Sequence, residues 1–426
     1  MKGSWRWVVG AGLGGIVVGI AVAFALFHTL PWAFSGSGTT STQSQISSAE
    51  ARLTPKLPQH EGVPVPGTTR NLPKAVPRSK DPLVATLQEA CAPLPEKLGC
   101  YQKRLQEIVK SDGTEQALNV LEQLAAEDED VLREGHPLAH EIGRFSYQHY
   151  KDAPTAFAHC RELFTSGCFH GVLEAFLSHS SQVKPEEIAT LCSGISGERG
   201  QFIKFQCLHG LGHGLTMYFH ELNQPLSTCD YLTTQWERES CYGGVFMENI
   251  VAANTTNPHH AHLHFLKPED PLYPCNSVDK KYQASCYLMQ SSAILMLNGY
   301  DFSQAFRECE KAPTEFIAVC YQSMGRDISG FTLRNAEEAI QLCMLGTERY
   351  IKYCLEGVVK DIVNTVADAA PGFSFCRQVA EVHKWSCYQS VGEMLVDLYP
   401  EVQQRLAECA KAEERYMIAC KAAARR

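Results

Sequence analysis

The spacing of the cysteines constrains the fold of this chain more than any other feature. The eighteen cysteines fall into nine consecutive pairs, and the last five pairs share one internal spacing. From Cys286 onward, the second cysteines of these pairs follow one another at intervals of 34, 34, 33 and 33 residues. This is the period of a helix-turn-helix repeat such as the tetratricopeptide repeat. The sequence therefore predicts an all-α fold, an α-solenoid of about ten helix-turn-helix repeats.

The pairing of the cysteines predicts disulfides. Zinc sites favour cysteines two to four residues apart, whereas about ten residues separate most partners here. In the chain-entropy model, a disulfide that closes such a loop stabilises the fold by about 3 kcal/mol. Because these bonds are rare in the cytosol, we expect the body of the protein in an oxidising compartment. The predicted pairs are Cys91–Cys100, Cys160–Cys168, Cys192–Cys207, Cys229–Cys241, Cys275–Cys286, Cys309–Cys320, Cys343–Cys354, Cys376–Cys387 and Cys409–Cys420.

The first eighty residues predict a membrane anchor followed by a linker. Lys2 and Arg6 precede an apolar stretch that is long enough to cross a bilayer as a helix. A cleaved signal peptide is the alternative, since Ala23-Phe24-Ala25 has the small-x-small form of a cleavage site. We expect a single-pass protein whose body lies in the periplasm or the extracellular space. Its predicted parts are a cytoplasmic N-terminus at 1–6, a transmembrane signal-anchor at 7–30, a disordered Pro/Ser/Thr-rich linker at 31–80 and an extracytoplasmic repeat domain at 81–426.

Composition and motifs exclude several classes of function. The formal net charge of −9 provides no basic footprint for nucleic acid. No Ser-His-Asp order, Walker loop or dinucleotide fingerprint stands out in the sequence. Paired cysteines leave no free thiol to act as a nucleophile. Any catalysis would therefore belong to a bound metal.

Histidines in three successive repeats form the main functional signal. Cys100 and Cys168 are 68 residues apart, so a repeat without cysteines lies between them, with Glu134 at its second cysteine position. The positions two and six residues after the second cysteine are spaced i, i+4 and share one face of the second helix. In the three repeats these positions hold His136 and His140, His170 and Glu174, and His209 and His213.

Imidazole and carboxylate groups on three neighbouring helices predict a metal site. Such helices lie about 10 Å apart, so their side chains can reach one or two shared ions. The donors suit a transition metal, namely iron, copper, zinc or manganese. The predicted metal ligands are His136, His140, His170, Glu174, His209 and His213.

The same positions in other repeats predict where this face lies. They hold polar residues, namely Gln102 and Gln106, Gln322 and Arg326, Glu356 and Lys360, and Gln389 and Glu393. Such residues are typical of a solvated face, so we expect the histidines to line an accessible concave wall of the solenoid.

The next repeat departs from the pattern. It offers Gly243 and Met247 at the two positions, with Glu248 beside them. An insertion follows, and its four histidines within 259–264 predict a second metal tract, a lid or a solvated polar loop. If the protein is an enzyme, Glu141 and Glu248 are the nearest candidates for a catalytic base.

Two resemblances accompany these patterns. The stapled helix pairs from Cys91 to Cys420 resemble the secreted helical cysteine-rich proteins built of Sel1-like repeats, although the cysteine separation here is larger. The stacking of His and Glu from successive repeats resembles deoxyhypusine hydroxylase, a HEAT-like repeat enzyme that holds two irons. The paired His-Glu step of that enzyme is matched here by His140-Glu141. This resemblance implies a metal site shared between repeats.

Two functional hypotheses follow. The first is a membrane-anchored extracytoplasmic metalloprotein whose His/Glu site is shared by three repeats and which, as an enzyme, would be a metal-dependent oxidase or hydrolase. The second is a metal-free adaptor whose His-lined concave groove binds a peptide or protein, with the histidines as a pH-sensitive patch. In both, the N-terminal helix binds the membrane.

Overall fold

The computed structural model describes residues 81–197, 199–254 and 265–425. The predicted anchor at 7–30, the linker at 31–80 and the histidines at 259–264 lie outside these ranges. Within them the chain is helical, as predicted, apart from turns and one isolated bridge between Lys267 and Asp270. None of the helices in these ranges is both long and apolar enough to cross a bilayer.

The described residues form twenty-one α-helices, most of which belong to pairs. The first helices of the pairs are α1 (Pro82–Cys91), α3 (Thr114–Glu127), α6 (Ala153–Ala158), α8 (Pro185–Leu191), α10 (Asn223–Cys229), α14 (Phe302–Cys309), α16 (Ala336–Cys343), α18 (Ala370–Gln378) and α20 (Val402–Glu408). The second helices are α2 (Lys97–Asp112), α5 (Gly135–Tyr150), α7 (Gly167–Ser178), α9 (Gly200–Phe219), α11 (Gln235–Asn254), α12 (Lys280–Met289), α15 (Thr314–Phe331), α17 (Glu348–Val366), α19 (Glu381–Leu398) and α21 (Met417–Ala423).

Four short helices complete the described fold. The α-helix α4 (Glu129–Arg133) precedes α5, and α13 (Ser291–Leu297) follows α12. Two 3-10 helices span Cys409–Lys411 and Glu414–Tyr416. The second helices stack side by side in chain order from α2 to α21. This order is the one expected of a helical repeat array.

Disulfides join the two helices of every described pair except α3 and α5, and a further one ties Cys275, which precedes α12, to Cys286 within it. Nine of them, in the described residues, connect consecutive cysteines as predicted. Cys343, for example, is the last residue of α16, and its partner Cys354 lies in the second turn of α17. An antiparallel helix pair brings these two points together. Each bond therefore stabilises a pair that has little core of its own.

The residue after the second cysteine belongs to the core, as its apolar character predicts. The tyrosines at this position in four repeats are fully buried, namely Tyr101, Tyr287, Tyr321 and Tyr388. The Tyr388 hydroxyl donates to Glu413 Oε2 at 2.7 Å, and the Tyr321 hydroxyl donates to Glu310 Oε1 at 2.5 Å. These bonds satisfy the polar end of a buried ring and tie the second helices to loops.

Glycines let the second helices of neighbouring repeats approach until their backbones touch. A Cβ on Gly171 in α7 would lie 1.9 Å from the carbonyl oxygen of His140 in α5. A Cβ on Gly244 in α11 would lie equally close, 1.9 Å, to the carbonyl oxygen of His209 in α9. Because no carbon atom fits at that distance, these crossings require glycine.

The array turns back on itself. Arg133, the last residue of α4, donates from Nη1 to the carbonyl of Phe331, the last residue of α15 in the seventh repeat, over 3.0 Å. Helix α9 of the fourth repeat packs against α19 of the ninth. The inner side of the array is therefore much more closed than an open concave wall.

The glycine crossings generate a stability prediction. A Cβ on Gly325 in α15 would lie 1.9 Å from the Cys354 carbonyl oxygen, whereas a Cβ on Gly330 in the same helix would meet nothing within 4 Å. We expect Gly325→Ala to lower the free energy of unfolding by about 1–3 kcal/mol or more. The control Gly330→Ala should leave it unchanged or raise it by up to about 1 kcal/mol. Urea unfolding under oxidising conditions measures both, and equal stabilities would contradict the tight crossing.

Candidate metal centre

The six predicted ligands come together in one cluster. Neighbouring imidazole rings are in contact, with centroids 4.5 to 5.2 Å apart along the series His136, His140, His170, His209 and His213. Glu174 joins them, because its Oε1 lies 2.7 Å from His140 Nδ1. Side chains of α5, α7 and α9 thus share one site.

The cluster is buried, so the prediction that the histidines line an accessible concave wall was wrong. His136 is half-buried, but the other five side chains are no more than 6% exposed. The reason is the sharp turn between repeats: the ring of His140 in α5 lies 5.3 Å from that of His213 in α9, two helices away. In a flat layer with helices about 10 Å apart, these rings would not touch. The cluster therefore lies inside the helical array and not on an accessible face of it.

The predicted alignment of the second repeat was wrong by one helical turn. Three glycines lie five residues after the second cysteine of their own repeat, and each faces the carbonyl of the next repeat's second cysteine: Gly212, Gly325 and Gly392. The equivalent residue in the second repeat is Gly143, which faces the Cys168 carbonyl. Leu138, which is buried, therefore takes the cysteine position, whereas Glu134 is exposed at the start of α5.

This slip left the predicted face intact. A shift of four residues is close to one turn, so it moves a side chain along the same face of the helix. With the corrected alignment, the positions two residues after the cysteine position are occupied by His140, His170 and His209. The positions six residues after it are occupied by Arg144, Glu174 and His213. His136 lies one helical turn before His140 on the same face. The period failed here because α3 has 14 residues, against 10 in α1, and no cysteine marks its end.

Hydrogen bonds determine which nitrogen carries the proton in three of the imidazoles. One ring nitrogen of each donates to an oxygen: His136 Nδ1 to the Phe164 carbonyl at 2.7 Å, His140 Nδ1 to Glu174 Oε1 at 2.7 Å, and His170 Nε2 to Gln206 Oε1 at 3.0 Å. These oxygens can only accept. The other nitrogen of each neutral ring, namely His136 Nε2, His140 Nε2 and His170 Nδ1, therefore carries a lone pair.

The three lone-pair nitrogens face one another. His140 Nε2 lies 3.0 Å from His136 Nε2 and 3.3 Å from His170 Nδ1. No proton remains to join them, so these contacts are repulsive unless a cation lies between. In a tetrahedral site with metal–nitrogen distances of about 2.0–2.1 Å, ligand nitrogens are roughly 3.3–3.4 Å apart. The two measured separations are close to these values, and candidate ligand atoms of all three rings lie within 4.8 Å of one another, so the residues fit a metal ion after a small shift.

Unusual backbone geometry positions the acceptor of His136. Phe164, Thr165 and Ser166, directly before α7, have φ angles of 50°, 53° and 61°. Each left-handed residue of this kind costs about 1–2 kcal/mol. Gly135 makes room for the turn, since a Cβ there would lie 2.3 Å from the Phe164 ring. Such strain is typical of functional sites.

A second group of acidic and imidazole side chains adjoins the triad of His136, His140 and His170. Candidate ligand atoms of Glu174, His213 and Glu248 all lie within 4.8 Å of one another. His213 Nδ1 donates to Glu248 Oε2 at 2.8 Å and lies 3.9 Å from Glu174 Oε1. Arg144 contacts Glu174 and also donates from Nη2 to Glu141 Oε1 at 2.6 Å. Hydrogen bonds and ion pairs thus account for these carboxylates without a metal.

Burial sets the charges of the cluster. It lowers the pKa of His136 to about 3 and holds the pKa values of His170 and His209 well below the usual one. Burial also lowers the pKa of His140, although Glu174 opposes it. Burial raises the pKa of Glu174, but His140 and Arg144 outweigh it and hold that pKa well below its usual value. Neutral imidazoles are the form that binds metals.

The two candidate bases have different surroundings. Glu141 pairs with Arg144, and Glu248 bonds His213 inside the cluster. Sequence reasoning missed the Phe164 carbonyl and Gln206, which orient two of the imidazoles. The repeat spacing predicts neither of them. The Phe164 carbonyl is a backbone atom, and Gln206 occupies the position before the second cysteine, where the repeats share no single residue type.

No protein-family model, curated protein or solved structure matches this chain. Inference about its function therefore depends on the side chains of the cluster.

The buried imidazoles predict acid sensitivity of the metal-stripped protein. In the unfolded chain they take up protons below pH about 6.5, whereas in the fold their lowered pKa values keep them neutral. Below pH about 6.5 the unfolded state therefore binds more protons than the folded state. As the pH is lowered from about 6.5 to about 5, the free energy of unfolding decreases by up to about 2 kcal/mol per imidazole.

Thermal unfolding in chelator measures this effect. The melting temperature should fall from pH 7 to 5, and less steeply for His170→Gln than for the wild type. The control is His149→Gln, since this residue is exposed on α5. Identical pH dependence of the two variants would contradict the assigned charge states.

Proposed function

We propose that the protein is a transition-metal-binding protein whose ion is held by His136 Nε2, His140 Nε2 and His170 Nδ1. One observation carries the proposal: His140 Nε2 lies 3.0 Å from His136 Nε2 and 3.3 Å from His170 Nδ1, while the other nitrogen of each of these rings meets an oxygen acceptor. Metal-binding histidines almost always donate their other N–H to a carboxylate or carbonyl, as these three imidazoles do to oxygen acceptors.

The proposal narrows the six predicted ligands to three. Glu174 and Gln206 act as positioning residues, because each accepts a hydrogen bond from a ligand imidazole. An ion between Glu174, His213 and Glu248 would have to replace the 2.8 Å bond from His213 to Glu248. We therefore expect the triad to bind first and the carboxylate group to follow at higher metal concentration.

Three imidazoles define the class of ion and the chemistry that it would supply. Imidazole suits zinc, copper and iron better than manganese, which prefers oxygen ligands. Three protein ligands leave a coordination position for a small molecule, as an oxidase or hydrolase requires. His136 is the half-buried member of the triad, so this small molecule would approach past His136.

The proposal places the metal site outside the cytoplasm. Nine disulfides in the described residues are typical of an oxidising, extracytoplasmic environment. We propose that the apolar stretch at 7–30 tethers the helical array to the membrane through the linker at 31–80. The metal hypothesis is preferred to the adaptor hypothesis because five of the six predicted ligands are buried, which suits a bound ion better than a partner surface.

Metal content of the purified chain tests the proposal. The full-length protein, produced without a histidine tag in an oxidising compartment, is dialysed against a weak chelator and measured by elemental mass spectrometry. We expect about one ion per chain in the wild type and in the exposed control His149→Gln, and a loss of at least about tenfold in His140→Gln and His170→Gln. Unchanged stoichiometry in either of the last two variants would contradict the ligand assignment.

The positioning role of Gln206 has its own test. Gln206→Leu keeps the volume but removes the oxygen that accepts from His170 Nε2. We expect metal affinity to fall by about 10–100-fold while the stoichiometry at saturation stays the same. The control is Gln389→Leu, a half-buried glutamine on α19 outside the cluster. Competition with a fluorescent chelator measures both, and equal affinities of the two variants would remove Gln206 from the site.

A further inference from the structure

We infer that a second, softer metal position lies between His209 and Met247 and binds copper(I). His209 Nε2 and Met247 Sδ are 3.4 Å apart. His209 extends from α9 and Met247 from α11, so this position joins the fourth and fifth repeats. It uses none of the three nitrogens of the triad and stands or falls independently of them.

The contact between His209 and Met247 joins two atoms that can each offer an electron pair. His209 Nδ1 lies 3.3 Å from where a Cβ on Gly243 would be, one turn before Met247, and Nε2 is the nitrogen that meets the sulfur. A neutral imidazole carries a lone pair on one ring nitrogen, and a thioether sulfur has lone pairs and no hydrogen. With the imidazole proton on Nε2, the contact is an N–H···S hydrogen bond; with the proton on Nδ1, both Nε2 and Sδ are available to one cation.

A nearby methionine shows the contrasting case. Met289 Sδ accepts a hydrogen bond from Arg326 Nη1 at 2.8 Å, so its lone pair is already used. Met247 Sδ instead contacts the neutral imidazole of His209, and no Arg or Lys side chain donates to it in the described residues. The two sulfurs thus differ in what they can offer a cation, although the Met289 methyl lies 3.9 Å from the Cβ position of Gly243, beside His209.

The distance between the two atoms fits joint coordination of one ion. With metal–nitrogen and metal–sulfur distances of about 2.0 and 2.3 Å, a separation of 3.4 Å corresponds to an angle of roughly 105° at the metal. That angle is near tetrahedral, so the ion would take a further donor. His213 offers one: its ring centroid lies 5.1 Å from that of His209, and its Nε2 is buried with no hydrogen-bond partner in the described residues.

The donors and their surroundings select the ion. Thioether sulfur is a soft ligand that favours copper(I) over zinc or manganese. The Phe205 ring stacks on His209 with centroids 5.6 Å apart, so one side of the position is apolar. An apolar site favours an ion of low charge, because each added charge costs more to desolvate. Both features point to monovalent copper.

X-ray absorption of the copper(I)-loaded full-length protein tests this inference, together with anaerobic titration against a competing copper(I) chelator. The wild type should show sulfur scattering near about 2.3 Å from copper. Met247→Leu, a change of similar volume, should abolish this signal and remove one bound equivalent. The matched control Met289→Leu should retain both. Sulfur scattering that is absent from the wild type, or that survives Met247→Leu, would overturn the inference.

The same experiment separates this inference from the proposed function. His170→Gln removes a ligand of the triad but leaves both atoms of the softer position, His209 Nε2 and Met247 Sδ, in place. Sulfur-bound copper that persists in this variant, with loss of the ion bound only by nitrogen, is the result expected if both hold. If the wild type binds only a sulfur-ligated ion, the triad is wrong and the softer position stands; if it binds only a nitrogen-ligated ion, the reverse is true.

Discussion

The contact of helix backbone with helix backbone at glycine is the constraint on which the rest of the structure depends. At Gly171 and Gly244 the neighbouring carbonyl oxygen occupies the space that a side chain would need. Such crossings bring the second helices of adjacent repeats closer than ordinary side-chain packing allows, and they turn the array sharply. Sharp turning makes side chains two repeats apart touch, as His140 and His213 do at 5.3 Å. A repeat architecture that commonly presents an open concave surface here closes over its own polar residues.

Because the array closes, its row of histidines is buried and each ring nitrogen needs a partner. Buried polar groups must find partners, and each imidazole can donate only one proton when it is neutral. His136, His140 and His170 donate that proton to oxygen acceptors outside the triad, which leaves three lone-pair nitrogens within 4.8 Å of one another. Disulfides in every described pair but that of the second repeat hold the helices that impose this arrangement. A cation between these three nitrogens satisfies them all at once.

The cysteine period predicted the helical fold, the disulfide pairs and the face on which the histidines lie, because each of these follows from local spacing. It did not predict burial, since the polar residues of later repeats, such as Gln322 and Glu356, suggested a solvated wall. The curvature that buries the site arises from glycine contacts between helices, and these cannot be read from a single repeat. The alignment of the second repeat was wrong by one turn because α3 is longer than its counterparts and carries no cysteine. The acceptors that orient the triad are tertiary features: the Phe164 carbonyl depends on a left-handed turn, and Gln206 on the approach of α9 to α7.

The central claim is that three specific nitrogen atoms hold one ion. A crystal structure of the metal-loaded protein, with anomalous diffraction recorded at the absorption edge of the bound metal, tests it most directly. The account predicts an anomalous peak at about 2.0–2.1 Å from His136 Nε2, His140 Nε2 and His170 Nδ1. A peak between Glu174, His213 and Glu248 with the triad empty, or no peak in the cluster at all, would contradict it.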